Sequence, residues 1–183
     1  LRIVQDARQE CSLGASAAQR EEGRDPDAEE AVQHELGRLA RTINDMIARL
    51  DTRIDEASLP FDPQIQLLAT IPGIGERAAQ VIISEIGVDM TRFPTAAHLA
   101  SWAGLTPKHH ESDTTVHRGR ITKQGSRLVR WAAVEAVQRV PAHTRLGQTR
   151  DRVGERRGRN IGVVAAAREL ITLVFYGLRD HHI

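Results

Sequence analysis

The stretch Leu67-Leu68-Ala69-Thr70-Ile71-Pro72-Gly73-Ile74-Gly75-Glu76-Arg77-Ala78-Ala79-Gln80-Val81-Ile82-Ile83-Ser84-Glu85-Ile86-Gly87 decides the reading of this chain. Apolar residues recur at helical spacing on both sides of Pro72-Gly73-Ile74-Gly75, so it reads as helix, tight turn, helix. Gly87 is the C-terminal stop of the second helix. Gly73 and Gly75 take side chains away from a turn that must approach something closely. The second helix opens with free N–H groups and a positive dipole end, a setting suited to a phosphate oxygen, and Arg77 adds a cation. Two readings fit: contact with a nucleic-acid backbone, or a plain helix–helix turn that needs glycine. A backbone contact would position DNA without reading its sequence.

Working outward, Pro60 and Pro63 punctuate the chain, and the first helix of this pair starts near Asp62 or Gln64. Upstream, Asp27 is an N-cap for a long helix to about Ala57. Leu36, Leu39, Ile43, Met46 and Leu50 step by 3, 4, 3 and 4 along it, a heptad seam. The seam serves either a coiled coil with a second chain or packing on its own domain. Residues 1–26 read as a linker or the remnant of an upstream domain. Downstream, Thr95 caps a further helix that stops at Gly104, with Leu99, Trp102 and Ala103 inward. Residues 105–125 read as a long loop, with a short hairpin pairing Thr114–Val116 and Arg120–Thr122. Ser126 caps the next helix, residues 141–158 read as a basic, glycine-containing stretch, and a last helix runs from about Asn160 to Leu178. The expected class is mostly α, a helical domain over 62–183 preceded by a coiled-coil-like helix over 27–58, with no convincing sheet.

Composition narrows the function classes. The chain has 183 residues, 40% of them apolar, and Cys11 is its one cysteine, so no disulfide framework exists. No zinc-finger spacing is present. The longest apolar run, Ile161 to Leu178, is broken by Arg168 and Glu169, so no membrane partner is expected. No signal peptide opens the chain, which fits a cytoplasmic protein. The formal net charge of +1 conceals an asymmetry: residues 1–66 balance at −6 and residues 104–159 at +8. The basic segment points to a polyanion. Only Lys108 and Lys123 among the 25 basic residues are lysine; arginine favours bidentate phosphate contacts, and a GC-rich genome gives the same bias.

Ser112 lies in the polar loop, with His110, Glu111 and His117 as local bases and Arg118, Arg120, Lys123 and Arg127 as electrostatic partners. A serine attacks phosphorus only when a base takes its proton and cations stabilise the charge that develops. Most loop serines are turn or capping residues. His109, His110 and His117 lack the helical spacing and the cysteine partner of a metal site. Trp102 and Trp131 fall at apolar helical positions and read as core rather than base-stacking platforms. The run Arg150–Arg159 is either a solvated connection or a second backbone-binding stripe, the latter favoured by its glycines.

Two resemblances follow. The glycine turn resembles a helix-hairpin-helix motif. The ordered set Ile71-Pro72-Gly73-Ile74-Gly75, Arg92-Phe93-Pro94-Thr95, Ala103-Gly104-Leu105-Thr106-Pro107, Ser112, Gly119-Arg120-Ile121-Thr122-Lys123-Gln124-Gly125 and Leu128-Val129-Arg130 resembles the C-terminal domain of insertion-sequence transposases of the one-ten group, the transposase-20 domain. The resemblance covers about residues 64–140. It implies a DNA transposase or recombinase in which Ser112, five residues after Pro107, is the nucleophile. The DNA-contact set read from the glycine turn and the basic loop is Gly73, Gly75, Arg77, Arg118, Arg120, Lys123, Arg127 and Arg130. The family usually has glycine after the serine, whereas this chain has Asp113. The family also carries an upstream RuvC-like domain with four acidic metal ligands. No cofactor is expected in this chain itself, and a divalent metal, magnesium, is expected in that domain. The resemblance further implies DNA and a guide RNA as partners, a homo-oligomer (here through residues 32–57), and a place at the bacterial nucleoid. Without the acidic half the chain is expected to bind DNA and not cleave it. The alternatives are a non-catalytic helix-hairpin-helix binding module and a truncated coiled-coil oligomerisation relic.

Overall fold

The computed structural model describes residues 26–112 and 115–182. The chain separates after Ala57 into two compact units. Among the described residues the first is helix α1, Pro26–Ser58, 33 residues long, whose last residue opens the second unit. Pro26 opens it where no N–H is needed, and Asp27 and Glu29 in the first turn complement the dipole. Its apolar seam, Leu36, Leu39, Ile43, Met46 and Leu50, is exposed along its whole length.

The second unit is a helical body. A 3-10 turn at Leu59–Phe61 leads into α2 (Asp62–Ala69) and α3 (Glu76–Ile86). A second 3-10 turn, Met90–Arg92, precedes α4 (Ala96–Trp102). A two-stranded antiparallel hairpin follows, β1 (Pro107–Ser112) and β2 (Thr115–Ile121). The chain then closes with α5 (Arg127–Gln138), α6 (Arg145–Arg157) and α7 (Arg159–Asp180). α7 is the hub, packing against α6, α5, α4 and α2, while α3 packs on α5 and α2. Leu68, Ile82, Leu99, Val129, Leu170, Ile171 and Val174 are wholly buried at these contacts. Each such side chain contributes about 1.5–3 kcal/mol through burial.

Hydroxyl caps set three helix starts. Thr95 accepts the His98 N–H, Ser126 the Val129 N–H at 3.1 Å, and Thr144 the Gly147 N–H at 3.1 Å. Each satisfies a donor that has no partner inside its own helix.

The structure corrects three expectations, and α7 qualifies the reading of the apolar run. Residues 145–157 are helix rather than an open basic stretch. Gly147 and Gly162 allow close packing there: a Cβ would lie 2.2 Å from the Pro141 carbonyl oxygen at 147 and 2.2 Å from that of Arg150 at 162. The hairpin pairs Ser112 with Thr115 and Pro107 with Ile121, so the pairing of 114–116 with 120–122 does not occur. α7 is long and apolar enough to cross a bilayer despite Arg168 and Glu169, though half of its apolar window is buried inside the fold. Finally, Trp131 is 55% exposed and so is not core; Trp102 is also partly exposed, its ring edge-on to Phe93 at 5.8 Å.

Candidate nucleic-acid interface

The two turn glycines have different surroundings. Gly73 has φ +94, and a Cβ there would lie 2.5 Å from both the Ala136 carbonyl oxygen and Val140 Cγ2. Its close approach is therefore to the end of α5, inside the protein. Gly75 is the N-cap of α3, with extended backbone and no side-chain cap bond. A Cβ at Gly75 would meet nothing within 4 Å. Nearby, an Arg77 guanidinium N–H donates to Gln80 Oε1 at 2.8 Å, which orients the cation along the first turn of α3.

The base of the hairpin is fixed by backbone. Gly104 and Gly125 take φ of +70 and +87, in the left-handed region that favours glycine. A Cβ on Gly125 would lie 1.6 Å from the Trp102 carbonyl oxygen, and one on Gly104 2.4 Å from that of Gln124. Thr122 N–H donates to the Thr106 carbonyl at 3.0 Å and Lys123 N–H to that of Gly104 at 3.4 Å. Arg130 adds a clamp, its guanidinium donating to the Ala103 carbonyl at 3.0 Å. Ser126, besides capping α5, donates its hydroxyl to Glu85 Oε2 at 2.8 Å. Sequence reasoning passed over Glu85, because its partner lies 41 residues away and no local spacing marks the pair.

These contacts orient the helices. The turn before α3 packs on the end of α5, and the end of α3 holds the start of α5, so the two helices run antiparallel. The 11 residues of α3 separate Gly75 from the hairpin base by about 16 Å. Gly73, Gly75 and Arg77 thus stand at one end of this pair, and Lys123, Arg127 and Arg130 at the other. Lys123 and Arg127 are exposed, whereas Arg130 is half-buried. Ser112 is the last residue of β1, at the tip of the hairpin, while Arg118 and Arg120 lie along β2. Their side chains, those of His109, His110, Glu111 and His117, and residues Asp113 and Thr114 lie outside the described structure. The described residues form no cluster of three His, Cys, Asp or Glu side chains fit to hold a metal.

Residues 65–153, the α2–α6 segment with the glycine turn and the hairpin, match the family described as Transposase IS116/IS110/IS902. The chain carries a transposase domain of this family. The IS110 insertion-element protein of Streptomyces coelicolor is 36% identical over 130 residues, 68% of this chain and 31% of that protein. The pilin gene-inverting protein of Moraxella bovis is 31% identical over 147 residues, 75% of this chain and 45% of that protein. A family 20 transposase of Pseudomonas aeruginosa, so named as probable, is 31% identical over 111 residues, 57% of this chain and 32% of its own. The chain spans less than half the length of these curated relatives. The matched segment covers both ends of the α3–α5 pair, so Arg77 at one end and Lys123, Arg127 and Arg130 at the other all belong to it.

Proposed function

We propose that this chain is the serine-bearing, DNA-binding part of a transposase or recombinase. The observation that carries the proposal is the placement of Ser112 at the tip of a hairpin seated on a rigid base. Glu111 and Asp113 flank Ser112, and residues 114–134 beyond them hold Arg118, Arg120, Lys123, Arg127 and Arg130 and no carboxylate. A reacting phosphodiester gains negative charge at its non-bridging oxygens, and such a setting stabilises that charge. In the proposed step a base, with His110, Glu111 or His117 nearest in sequence, takes the Ser112 hydroxyl proton. Oγ bonds to phosphorus, the P–O bond to one sugar oxygen breaks, and that oxygen leaves as a protonated hydroxyl. A DNA hydroxyl later attacks the phosphoserine, Oγ leaves, and serine recovers its proton. Phosphodiester bonds are conserved in number, so no external energy source is required. The described residues bring together no set of side chains fit to hold a metal. The name of the pilin gene-inverting protein speaks of inversion and two others of insertion elements or transposition; both are rearrangements that this chemistry serves.

The Gly75 end of α3, with its unoccupied approach and Arg77, supplies a sequence-independent contact to the DNA backbone in this proposal, in the manner of a helix-hairpin-helix turn. The exposed seam of α1 pairs with a second copy of the chain as a coiled coil.

The test joins this chain to the N-terminal half of the Streptomyces coelicolor IS110 protein and supplies DNA bearing that element's ends. A protein–DNA adduct that survives denaturing electrophoresis is expected. Ser112→Ala should abolish the adduct and leave DNA retention in a gel shift. An adduct that persists in Ser112→Ala, or maps to Ser101 or Ser126, rejects the assignment.

A further inference from the structure

We infer that Trp131, with Leu128 beside it, is a stacking platform for an unpaired nucleobase. The starting observation is where α5 spends its apolar side chains. Its buried face is filled by Val129, Ala132, Ala133, Ala136 and Val137. Trp131 and Leu128, two of its largest apolar side chains, instead point outward, 55% and 53% exposed. An indole buries some 150–250 Å² when it is packed, so this side chain forgoes a large hydrophobic gain. Residues 128 and 131 are one turn apart on one face, and Arg127 is four residues before the indole on the same face.

Charge selects the occupant. Trp131 follows Lys123, Arg127 and Arg130 in a stretch whose first downstream carboxylate is Glu135, one turn beyond the indole, so cations outnumber carboxylates three to one around it. A polymer that offers both dense negative charge and flat apolar faces is a nucleic acid. Within a duplex the base faces are already stacked on one another, so an aromatic ring on a helix surface reaches them only on an unpaired strand. Aromatic stacking combined with a cationic groove is how proteins hold single strands without regard to sequence. The platform rests on the nucleic-acid reading above, but not on the role of Ser112. It gives the domain a hold on a strand that has been opened.

The full chain carries its own probe. It has two tryptophans, and Trp102→Phe leaves Trp131 as the sole indole, excited selectively at wavelengths Tyr176 does not absorb. Oligo-dT added at low salt should quench that emission, while heparin, a polyanion without bases, should bind and leave it unchanged. Trp131→Ala should weaken oligo-dT binding about tenfold, the size of one base–aromatic stack, with heparin affinity unaltered. Trp131→Phe should recover most of the loss. Binding of oligo-dT without quenching, or equal quenching by heparin, overturns the platform and leaves the charge-driven reading intact. Failure to bind either polymer overturns both. A blue shift of Trp131 emission that grows with protein concentration, in the absence of nucleic acid, assigns this face to a second copy and likewise overturns the platform.

Discussion

At position 125 a single methyl group would meet a peptide carbonyl that cannot retreat without moving the end of α4. Gly125→Ala should therefore cost about 3 kcal/mol, through overpacking and a positive φ together. Gly75→Ala, with negative φ and open space, should cost no more than about 1 kcal/mol, as for the loss of a glycine N-cap. Urea denaturation of the two variants checks the contrast, and equal losses would contradict the assigned roles. Thr95 and Ser126 were legible in the sequence because a hydroxyl before an apolar period is a local signal. Gly73 was legible as a tight approach but not as an internal one, since its neighbours Ala136 and Val140 are distant in sequence. The Ser126–Glu85 bond was illegible for the same reason. Trp131 was misread because it sits at helical spacing with its buried neighbours, and periodicity alone does not show which side of a residue meets solvent.

Helices with an apolar stripe were readable from the sequence; α6 was not. Leu146 and Val153 are its only large apolar residues, and its glycines resemble breakers until the helices beside them are seen. β1 reads Pro-Lys-His-His-Glu-Ser, which has no alternation to mark a strand, so the tip position of Ser112 emerges only from the register. α6 is anchored by Arg150, whose guanidinium donates to the carbonyls of Val137 and Val140 at 3.0 and 2.9 Å, closing the end of α5. Asp151 accepts from Arg150 at 2.7 Å, and this hydrogen bond, aided by the cation's charge, holds its carboxyl below the ordinary aspartate value. A depressed carboxylate contributes stability above its unfolded pKa and loses it as pH falls through the folded one. Asp151→Asn should therefore lower the melting temperature at neutral pH, and the difference should shrink as pH falls below the ordinary aspartate range and through the depressed folded value. Thermal melts across that range check the sign. At the level of α1, Leu39→Glu with Met46→Glu places charge on the exposed seam and should turn an oligomer into a monomer by light scattering. A monomeric parent chain would refute the seam's assignment.

Across the whole molecule, charge is segregated along the chain, −6 over residues 1–66 against +8 over 104–159. If about five phosphates are neutralised, the log–log slope of affinity against salt should be near −4 to −5 for duplex DNA. Titrations at several salt concentrations measure it, and a flat response would dismiss the electrostatic interface. The hairpin has a different relation to the rest of the fold. Among the described residues the backbones of β1 and β2 lie mainly against each other, and the glycines at 104 and 125 hold their shared base. Seen as engineering, this is a fixed socket with an exchangeable insert. Residues 108–120 are the segment to diversify in a library or to graft from a relative, because a new tip can be tried without renegotiating the helical body beneath it.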